Sequence, residues 1–323
     1  MPPVSKREPS PSLSQSMSSI GGSIGGALTD STRFAESIGD TISDAIGEVL
    51  SETIPVPGVI EQSSFDPTPH PEDLESRRWW GRHVREIRWQ AELLRLLADP
   101  VFRGVGVPRG DGSPVLLIPG FLAGDGSLSV MSNWLKRIGY EPHGADIVLN
   151  VDCSDRTLNR LERRLVGIAR KSGDVAIIGH SRGGHLAKAL AHRRPDLVSQ
   201  VISLGSGLDT PFDISIPTKA AGAGVRVVLH RTSRTARENG CFTPSCQCPF
   251  TRDYTDAFPT DVPLTSVHSH GDGVVWWEAC VVPYARNVEV TGSHIGLAFN
   301  RKAYRVIGET LARSVDTAAS TAS

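Results

Sequence analysis

The sequence has few of the features that mark membrane-spanning, disulfide-built or charge-driven proteins. Nowhere in its 323 residues does an apolar run reach the ~18 residues that a membrane-spanning helix needs. The formal net charge is only −1, which predicts no general attraction to nucleic acid or acidic lipid. Five cysteines are too few to build a disulfide scaffold in a chain of this length. With 39% hydrophobic residues, the composition is that of a globular protein with a sizeable core.

The N-terminal segment, residues 1–70, is rich in Ser, Gly and Pro and differs from the rest of the chain. It has no compact apolar core behind a basic start, so we expect no secretory signal and a cytoplasmic or membrane-peripheral location. Its composition favours a flexible arm, yet large apolar residues recur at four-residue spacing between residues 20 and 50, as on one helix face. Two interpretations remain: a flexible or weakly helical arm, and a helix that docks on a partner or membrane surface.

Residues 71–103 are predicted to contain an amphipathic basic and aromatic helix. Apolar residues recur along it at helical spacing, at Trp80, Val84, Ile87, Ala91 and Leu94. Six arginines stand against two glutamates between residues 77 and 95. We expect the apolar stripe to pack on the following domain while arginine stems cover apolar surface, with an interfacial basic-aromatic face as the alternative.

From residue 104 to residue 314 the sequence alternates between strand and helix patterns. Short apolar runs predict strands at 114–120, 145–151, 175–179, 198–206, 263–272 and 287–294. Amphipathic stretches predict helices around 128–138, 158–168, 186–191 and 301–313. Such alternation predicts an α/β fold with a mostly parallel central sheet and helices on both faces.

One segment, residues 208–262, interrupts this alternation. It holds several prolines and glycines and three of the five cysteines, so we predict an inserted cap over the carboxyl ends of the strands. Within it, the run 225–230 fits a strand or a helix equally well. The last residues, 315–323, are predicted to form a disordered tail.

The motif G-x-S-x-G occurs twice, around Ser23 and around Ser181. Ser23 lies between Ser- and Gly-rich stretches with no predicted strand before it. Ser181 follows the strand "VAIIG" and precedes an amphipathic helix, which is the context of a nucleophile elbow. In an elbow the tight turn needs small residues two positions before and after the serine, here Gly179 and Gly183, and it exposes the hydroxyl. We therefore predict that Ser181 is a nucleophile.

A serine hydroxyl becomes a strong nucleophile only beside a base, and the base needs an orienting acid. After a nucleophile elbow the acid and then the histidine follow in chain order. Asp272 and His294 each come after a predicted strand and fit this order, with Asp209 as the alternative acid. His294 is the only histidine after Asp272. His180 is assigned a structural role and His185 a packing role.

The oxyanion of an acyl-transfer intermediate needs backbone N–H donors. One donor is predicted at Arg182, directly after Ser181, and the other in the loop after the first core strand. In that loop Gly120 lets the backbone approach and Phe121 offers its N–H, with Leu122 as the alternative donor. The loop lacks the Gly-Lys-Ser/Thr ending and the G-x-G-x-x-G spacing of phosphate-binding loops.

In chain order, these segments resemble the α/β-hydrolase superfamily, specifically its lipase and esterase branch. The matching segments are "PVLLIPGF", "VAIIGHSRGG", "TSVHSHGDGVV" and "VEVTGSHIGLA", and the resemblance covers residues 104–314. It implies hydrolysis of carboxylic esters with apolar acyl chains through an acyl-enzyme, using Ser181, Asp272 and His294 and no cofactor. Many members carry His-Gly at the end of the oxyanion strand, where this chain has Pro-Gly; a backbone donor tolerates that change.

The segment "HSHGD" places His268, His270 and Asp272 in the H-x-H-x-D spacing of binuclear metallohydrolases. Those sites need further ligands, usually another histidine at once, and the next residue here is glycine. We therefore predict no metal site there. Because alternate residues of a strand share a face, we expect both histidines to line the pocket near Asp272.

Cysteines 241, 246, 248 and 280 are open to two interpretations. Four thiolates can hold zinc, and the same residues can form disulfides that staple the insertion, for example Cys248 to Cys280. We predict the staple and no metal, although disulfides would indicate an oxidising compartment and leave the location open. Cys153 is predicted to be a buried small apolar residue.

Two rival functions are compatible with the same fold. An acyltransferase with the same triad would pass the acyl group to an alcohol, whereas a non-catalytic lipid-binding or interaction protein would keep the fold without an activated serine. The expected partners are a small-molecule or lipid ester and, through the N-terminal arm, a membrane surface or another protein, but not nucleic acid. The sequence leaves the acyl-chain length and the oligomeric state open.

Overall fold

The structure is a computed structural model that describes residues 86–321, with side chains up to Arg313. The predicted arm, residues 1–70, lies outside the described residues, as do Ser23, Trp80 and Val84. The strands are β1 (Pro114–Ile118), β2 (Glu141–Gly144), β3 (Val175–His180), β4 (Val198–Leu204), β5 (Leu264–His268) and β6 (Arg286–Glu289). The α-helices within residues 86–321 are α1 (Trp89–Ala98), α2 (Ser129–Ile138), α3 (Ser154–Ser172), α4 (Arg182–Arg193), α5 (Ile216–Thr232), α6 (Arg234–Glu238), α7 (Pro249–Thr255) and α8 (Arg301–Thr321).

The six strands form one parallel sheet in the order β2-β1-β3-β4-β5-β6. Parallel neighbours need crossover connections, and helices supply most of them here. The chain order changes direction at β1, which has β2 on one side and β3 on the other. Open α/β sheets hold their sites outside the carboxyl ends of the strands at such a point. The topology therefore predicts a functional site at the loops after β1 and β3.

Both faces of the sheet are buried, which explains the unbroken apolar runs of the central strands. On β1, Leu116 and Ile118 pack with α3 and α4, whereas Val115 and Leu117 pack with α2 and α8. The largest buried side chain, Trp134 of α2, donates its indole N–H to the Val101 carbonyl at 2.8 Å. These layers confirm the predicted α/β class with helices on both faces.

The strand predicted at 145–151 is wrong. The edge strand is the polar segment Glu141–Gly144, which pairs with β1. Asp146 has a positive φ of 57°, so the chain turns away from the sheet there. The Asp125 carboxylate accepts the N–H groups of Asp146 and Ile147 at 2.9 and 3.4 Å. These N–H groups therefore bind a side chain rather than a neighbouring strand. The apolar side chain of Val148 is 92% exposed.

The apolar stripe predicted for the first helix is also wrong in its described part. Ile87 and Leu94 are 68% and 63% exposed, and Ala91 is exposed as well. Helix α1 instead buries Leu93 and Leu96. The apolar spacing allowed more than one face of the helix to be buried. Packing on the domain buries the face that carries Leu93 and Leu96.

The insertion between β4 and β5 contains α5, α6 and α7. The run 225–230, undecided from sequence, is helical within α5. Arg193 of α4 holds the insertion through the Asp253 carboxylate of α7, and Asp155 of α3 accepts the Phe250 N–H at 3.2 Å. Helix α8 continues to Thr321, so most of the predicted tail 315–323 is helical, as its alanines favour. Among the described residues, no helix is long and apolar enough to cross a bilayer.

Candidate active site

Ser181 occupies a strained turn between β3 and α4. It is a non-glycine residue with a positive φ of 53° and a ψ of −125°, a combination that costs energy and occurs mainly where the surrounding structure enforces it. Its N–H donates to the Leu204 carbonyl at 2.8 Å, and its carbonyl accepts the Ser206 hydroxyl at 2.7 Å. The turn is therefore fixed by β4 on both sides of the serine.

The two elbow glycines are required by close backbone contacts. A Cβ on Gly179 would lie closer than 3.0 Å to the Gly183 carbonyl, and a Cβ on Gly183 would lie equally close to the carbonyl of Ile118 at the end of β1. A Cβ on Gly184 would collide with the Ser203 and Ser206 hydroxyls of β4 and its following loop. Glycine at these positions lets α4 begin against the sheet with its N–H groups directed at the serine.

The loop after β1 approaches the same serine. A Cβ on Gly120 would lie 3.1 Å from the Ser181 Cβ and 3.3 Å from the His180 Nδ1, so glycine permits this approach. Among the described turns, loops and caps, no hydrogen bond uses the N–H of Phe121 or of Arg182. Neither N–H group therefore has a backbone partner in this part of the chain.

The Arg182 side chain extends away from the serine and is buried. Its guanidinium donates to the Asn150 carbonyl and side chain at 2.8 and 3.0 Å, and to the Asp152 carbonyl and the Ser154 hydroxyl at 2.7 and 3.0 Å. It also lies 4.6 Å from the centre of the Phe242 ring in the insertion. The Arg182 side chain thus joins residues 150–154 and the insertion to the start of α4.

Asp272 and His294 form a buried pair on the loops after β5 and β6. The His294 Nδ1 lies 2.7 Å from the Asp272 Oδ2, and the two side chains are 6% and 2% exposed. Burial is the largest effect on the His294 pKa and lowers it, but the charge and hydrogen bond of Asp272, with the charge of Glu86, raise the pKa above its ordinary value. The pair matches the histidine and orienting acid of a catalytic triad in geometry.

The pair and the serine meet at the end of β4. A Cβ on Gly205 would lie 3.1 Å from the Asp272 Oδ2 and 3.3 Å from the His294 Nδ1, one residue after the carbonyl that binds the Ser181 N–H. Within residues 86–321 no hydrogen bond joins the Ser181 hydroxyl to the His294 ring. Such bonds are often longer before substrate binds, and proton transfer requires the two atoms to come within about 3 Å.

His180 supports the histidine loop from the elbow. Burial lowers the pKa of His180 to about 4, so the ring is neutral near pH 7 and its Nε2–H donates to the His294 carbonyl at 3.0 Å. The centres of the two rings lie 5.0 Å apart. His185 is half-buried further along α4, in an edge-on contact with Tyr254.

Two glutamates from the α1 segment, which sequence analysis missed, hold the acid and histidine loops. The Glu86 Oε1 accepts the N–H groups of Gly273 and His294, each at 2.9 Å, and its Oε2 accepts the Ile295 N–H at 2.9 Å. Glu92 accepts the N–H and hydroxyl of Ser293 at 3.0 and 3.1 Å. The only sequence signal was that these two acidic residues lie within an arginine-rich stretch.

The alternative acid, Asp209, does not reach the histidine. Its carboxylate accepts from the Lys188 ammonium at 2.9 Å and from the Tyr284 hydroxyl, and its side chain is 51% exposed. Asp272, by contrast, also accepts the N–H groups of Val274 and Val275 at 2.8 Å each through its second oxygen. Asp272 is the acid that the structure brings to His294.

The H-x-H-x-D segment forms no group of metal ligands among the described residues. His268 is the last residue of β5, and its ring stacks with those of His270 and Trp277. His270 also lines a cavity of about 320 Å³ next to Arg88, Glu92 and Arg301. Ser181 is not among the residues that line this cavity.

The position of each group on the sheet decides the fold. Ser181 follows β3, Asp272 follows β5 and His294 follows β6 of an all-parallel sheet. The loop after β1, which carries Gly120 and Phe121 and is called the donor loop below, lies at the same end. This order of strands and loops is that of the α/β-hydrolase fold. The chain has the α/β-hydrolase fold. The resemblance found in the sequence is thereby confirmed at the level of the fold.

Comparisons with solved structures find lipases, esterases and a thioesterase domain. A Bacillus licheniformis lipase in its mature form is 17% identical, with a TM-score of 0.46, and the match covers 64% of this chain and 95% of the lipase. A marine microorganism esterase is 15% identical with a TM-score of 0.41, covering 65% and 96%. A thioesterase domain from the curacin biosynthetic pathway is also 15% identical with a TM-score of 0.41, covering 62% and 92%.

No family model and no curated protein sequence matches the chain. The three structural matches are all below 20% identity and below a TM-score of 0.5. The assignment of the α/β-hydrolase fold therefore rests on the sheet order and the elbow of this chain itself.

Proposed function

We propose that this α/β-hydrolase is a serine hydrolase that cleaves carboxylic esters through an acyl-enzyme. One observation carries the proposal: a buried histidine–carboxylate pair, His294 and Asp272 with 2.7 Å between Nδ1 and Oδ2, lies beside a serine held in a strained elbow. A carboxylate that holds the Nδ1–H of a neutral histidine directs Nε2 to act as the base. Burial and strain of this kind cost stability, and they cluster at functional sites.

Each group has a defined role in the proposed reaction. The Ser181 hydroxyl attacks the acyl carbonyl while the His294 Nε2 takes its proton, and Asp272 stabilises the imidazolium. The N–H groups of Phe121 and Arg182 stabilise the oxyanion. The imidazolium then protonates the leaving alcohol, and water, activated by the same histidine, releases the acid and restores the serine.

Apolar side chains near the site support an apolar acyl group. Ile295, directly after the histidine, is 41% exposed. Val148 lies in the loop that packs on the donor loop and is exposed almost completely. The Phe121 and Phe242 rings are 6.0 Å apart and bring the insertion to the donor loop. Single exposed apolar residues are common, but several around one site fit an apolar substrate.

A fluorophosphonate probe tests this proposal because it reacts only with an activated serine. We expect about one adduct per chain on the full-length protein, mapped by peptide mass spectrometry to Ser181. Ser23 lies in the same G-x-S-x-G pattern and serves as an internal control that stays unmodified. A chain that neither reacts with the probe nor turns over p-nitrophenyl esters would be a non-catalytic protein, and the proposal would be wrong.

The fate of the acyl group separates hydrolysis from acyl transfer. With a competing alcohol present, a hydrolase should still release mainly the free acid, which chromatography of the products measures. A product dominated by the new ester would make the chain an acyltransferase with the same triad. A series of esters with increasing acyl length then places the enzyme among esterases or lipases.

The pH profile of kcat/KM should reflect the raised pKa of His294. Because the base must be neutral, activity should fall as pH decreases through this pKa, at a higher pH than for an ordinary histidine. Replacing Glu86 with glutamine removes one charge that raises the pKa, so the acid limb should move to lower pH. An acid limb that stays in place or moves to higher pH in Glu86→Gln would contradict this account of the site.

A further inference from the structure

Three buried cysteines from distant parts of the chain meet in one cluster. Cys153 precedes α3, whereas Cys241 and Cys248 come from the insertion. The Cys241 Sγ lies 3.2 Å from the Cys153 Sγ and 3.3 Å from the Cys248 Sγ, and the last two are 3.7 Å apart. All three side chains are free thiols. The predicted Cys248–Cys280 staple is therefore wrong, whereas Cys153 is buried among apolar side chains as predicted.

The spacing of these sulfurs fits one face of a tetrahedral thiolate site. A Zn–S bond of about 2.3 Å places two sulfurs of a tetrahedron about 3.8 Å apart. A disulfide would use only two of the three thiols and leave the third unpaired at the centre of the cluster. Each of the three sulfurs has both others as near neighbours, which fits one shared ion better than one covalent pair.

Cys246 is available as the fourth ligand. It is half-buried and packs against the cluster, five residues after Cys241 in the spacing C-x₄-C-x-C. Structural zinc sites take ligands in such closely spaced pairs. Cys246 lies outside the group whose sulfurs are all within 4.8 Å of one another, so binding of an ion would draw its side chain inward.

The surroundings close the site and place one cation beside it. Leu229, Ala236 and Phe250 cover the cluster and leave it in an apolar shell. The buried guanidinium of Arg182 interacts electrostatically with Cys153 and Cys241. An ion with two positive charges and four thiolates carries a net charge of −2, and a neighbouring cation offsets part of it.

We propose that Cys153, Cys241, Cys246 and Cys248 bind a structural Zn²⁺ ion that fixes the insertion to the catalytic domain. Binding releases the thiol protons to solvent and needs no oxidant or reductant. The four thiolates leave no open position for substrate, so the ion has a structural role. Phe242, next to Cys241, contacts both the Arg182 guanidinium and the Phe121 ring, so the ion also fixes the insertion where it meets the donor loop.

Metal analysis of the full-length chain, purified under reducing conditions without chelator, tests the proposal. We expect about one zinc ion per chain by plasma mass spectrometry. Cys153→Ser and Cys248→Ser should each lose the ion, whereas Cys280→Ser should keep it. Cys280 is the matched control because it is equally buried but lies outside the cluster, with its thiol directed at the Trp276 carbonyl.

Measurements on the unsubstituted chain keep the test valid where a variant fails to fold. Exchange of the ion for Co²⁺ should give the absorption of tetrahedral cobalt thiolate, and a chelator should make these thiols reactive towards iodoacetamide. Absence of zinc, zinc that survives both cluster substitutions, iron in its place, or a disulfide between any two cluster cysteines would overturn the proposal. None of these readouts uses ester hydrolysis, so they stand or fall apart from the proposed function.

Discussion

Replacing Ser181 with alanine should lower kcat/KM for p-nitrophenyl esters by about 10⁴-fold or more without unfolding the protein. The substitution keeps the Cβ and removes only the hydroxyl oxygen. No hydrogen bond within residues 86–321 uses that oxygen, so its loss leaves no donor or acceptor unpaired. Steady-state kinetics gives the activity, and circular dichroism with a melting curve shows whether the fold is kept.

Two comparisons make this result specific. Ser23→Ala changes the same five-residue pattern in the N-terminal arm and should leave activity unchanged. His294→Ala should cost about as much as Ser181→Ala, and the double variant little more than either alone, because the two groups act as a unit. Retained hydrolysis in Ser181→Ala, or losses that multiply in the double variant, would contradict the proposed triad.

The central sheet was largely predictable because its strands are buried on both faces. β1, β3 and β4 appear in the sequence as short apolar runs, and an amphipathic helix follows each of β1 and β3. The edge strand β2 was missed because an edge needs no apolar run. Its segment "EPHG" is polar, whereas the apolar run after it forms a loop held by Asp125. Apolar patterns in a sequence indicate which residues are buried, so they predict a strand only where that strand is buried.

The proposed catalytic residues were predictable for a different reason. Chain order and strand ends identify Ser181, Asp272 and His294, since the fold requires each on a particular loop. Glu86 had no such signal, because it binds three backbone N–H groups of the acid and histidine loops. Backbone partners leave no trace in the sequence of those loops, so only the structure reveals this contact.

The grouping of the cysteines was also only partly predictable from the sequence. Spacing joined Cys241, Cys246 and Cys248 as a local group, but the remaining partner is 88 residues away from Cys241. From the sequence, Cys280 was grouped with these three, whereas Cys153 was predicted to be a buried apolar residue. In the fold Cys153 packs against Cys241 and Cys248 of the insertion. Cys280 lies outside this cluster, with its thiol near the Trp276 carbonyl.

Gly183→Ala should destabilise the protein by about 3 kcal/mol or more, although alanine is a better helix former than glycine. The added Cβ would meet the Ile118 carbonyl, a backbone group that cannot rotate away as a side chain can. Either β1 or the start of α4 must move. Such movement would also displace the loop that carries the Phe121 N–H, so activity should fall with stability. Urea unfolding and ester hydrolysis measure the two effects.

Gly167→Ala is the matched control. Gly167 lies in α3, and a Cβ there meets no atom within 4 Å. The substitution should stabilise the protein by up to about 1 kcal/mol, because it reduces the freedom of the unfolded chain. If both variants gained stability, β1 and α4 would not be in close contact. The elbow would then have no steric need for glycine, and the strained conformation of Ser181 would lose its cause.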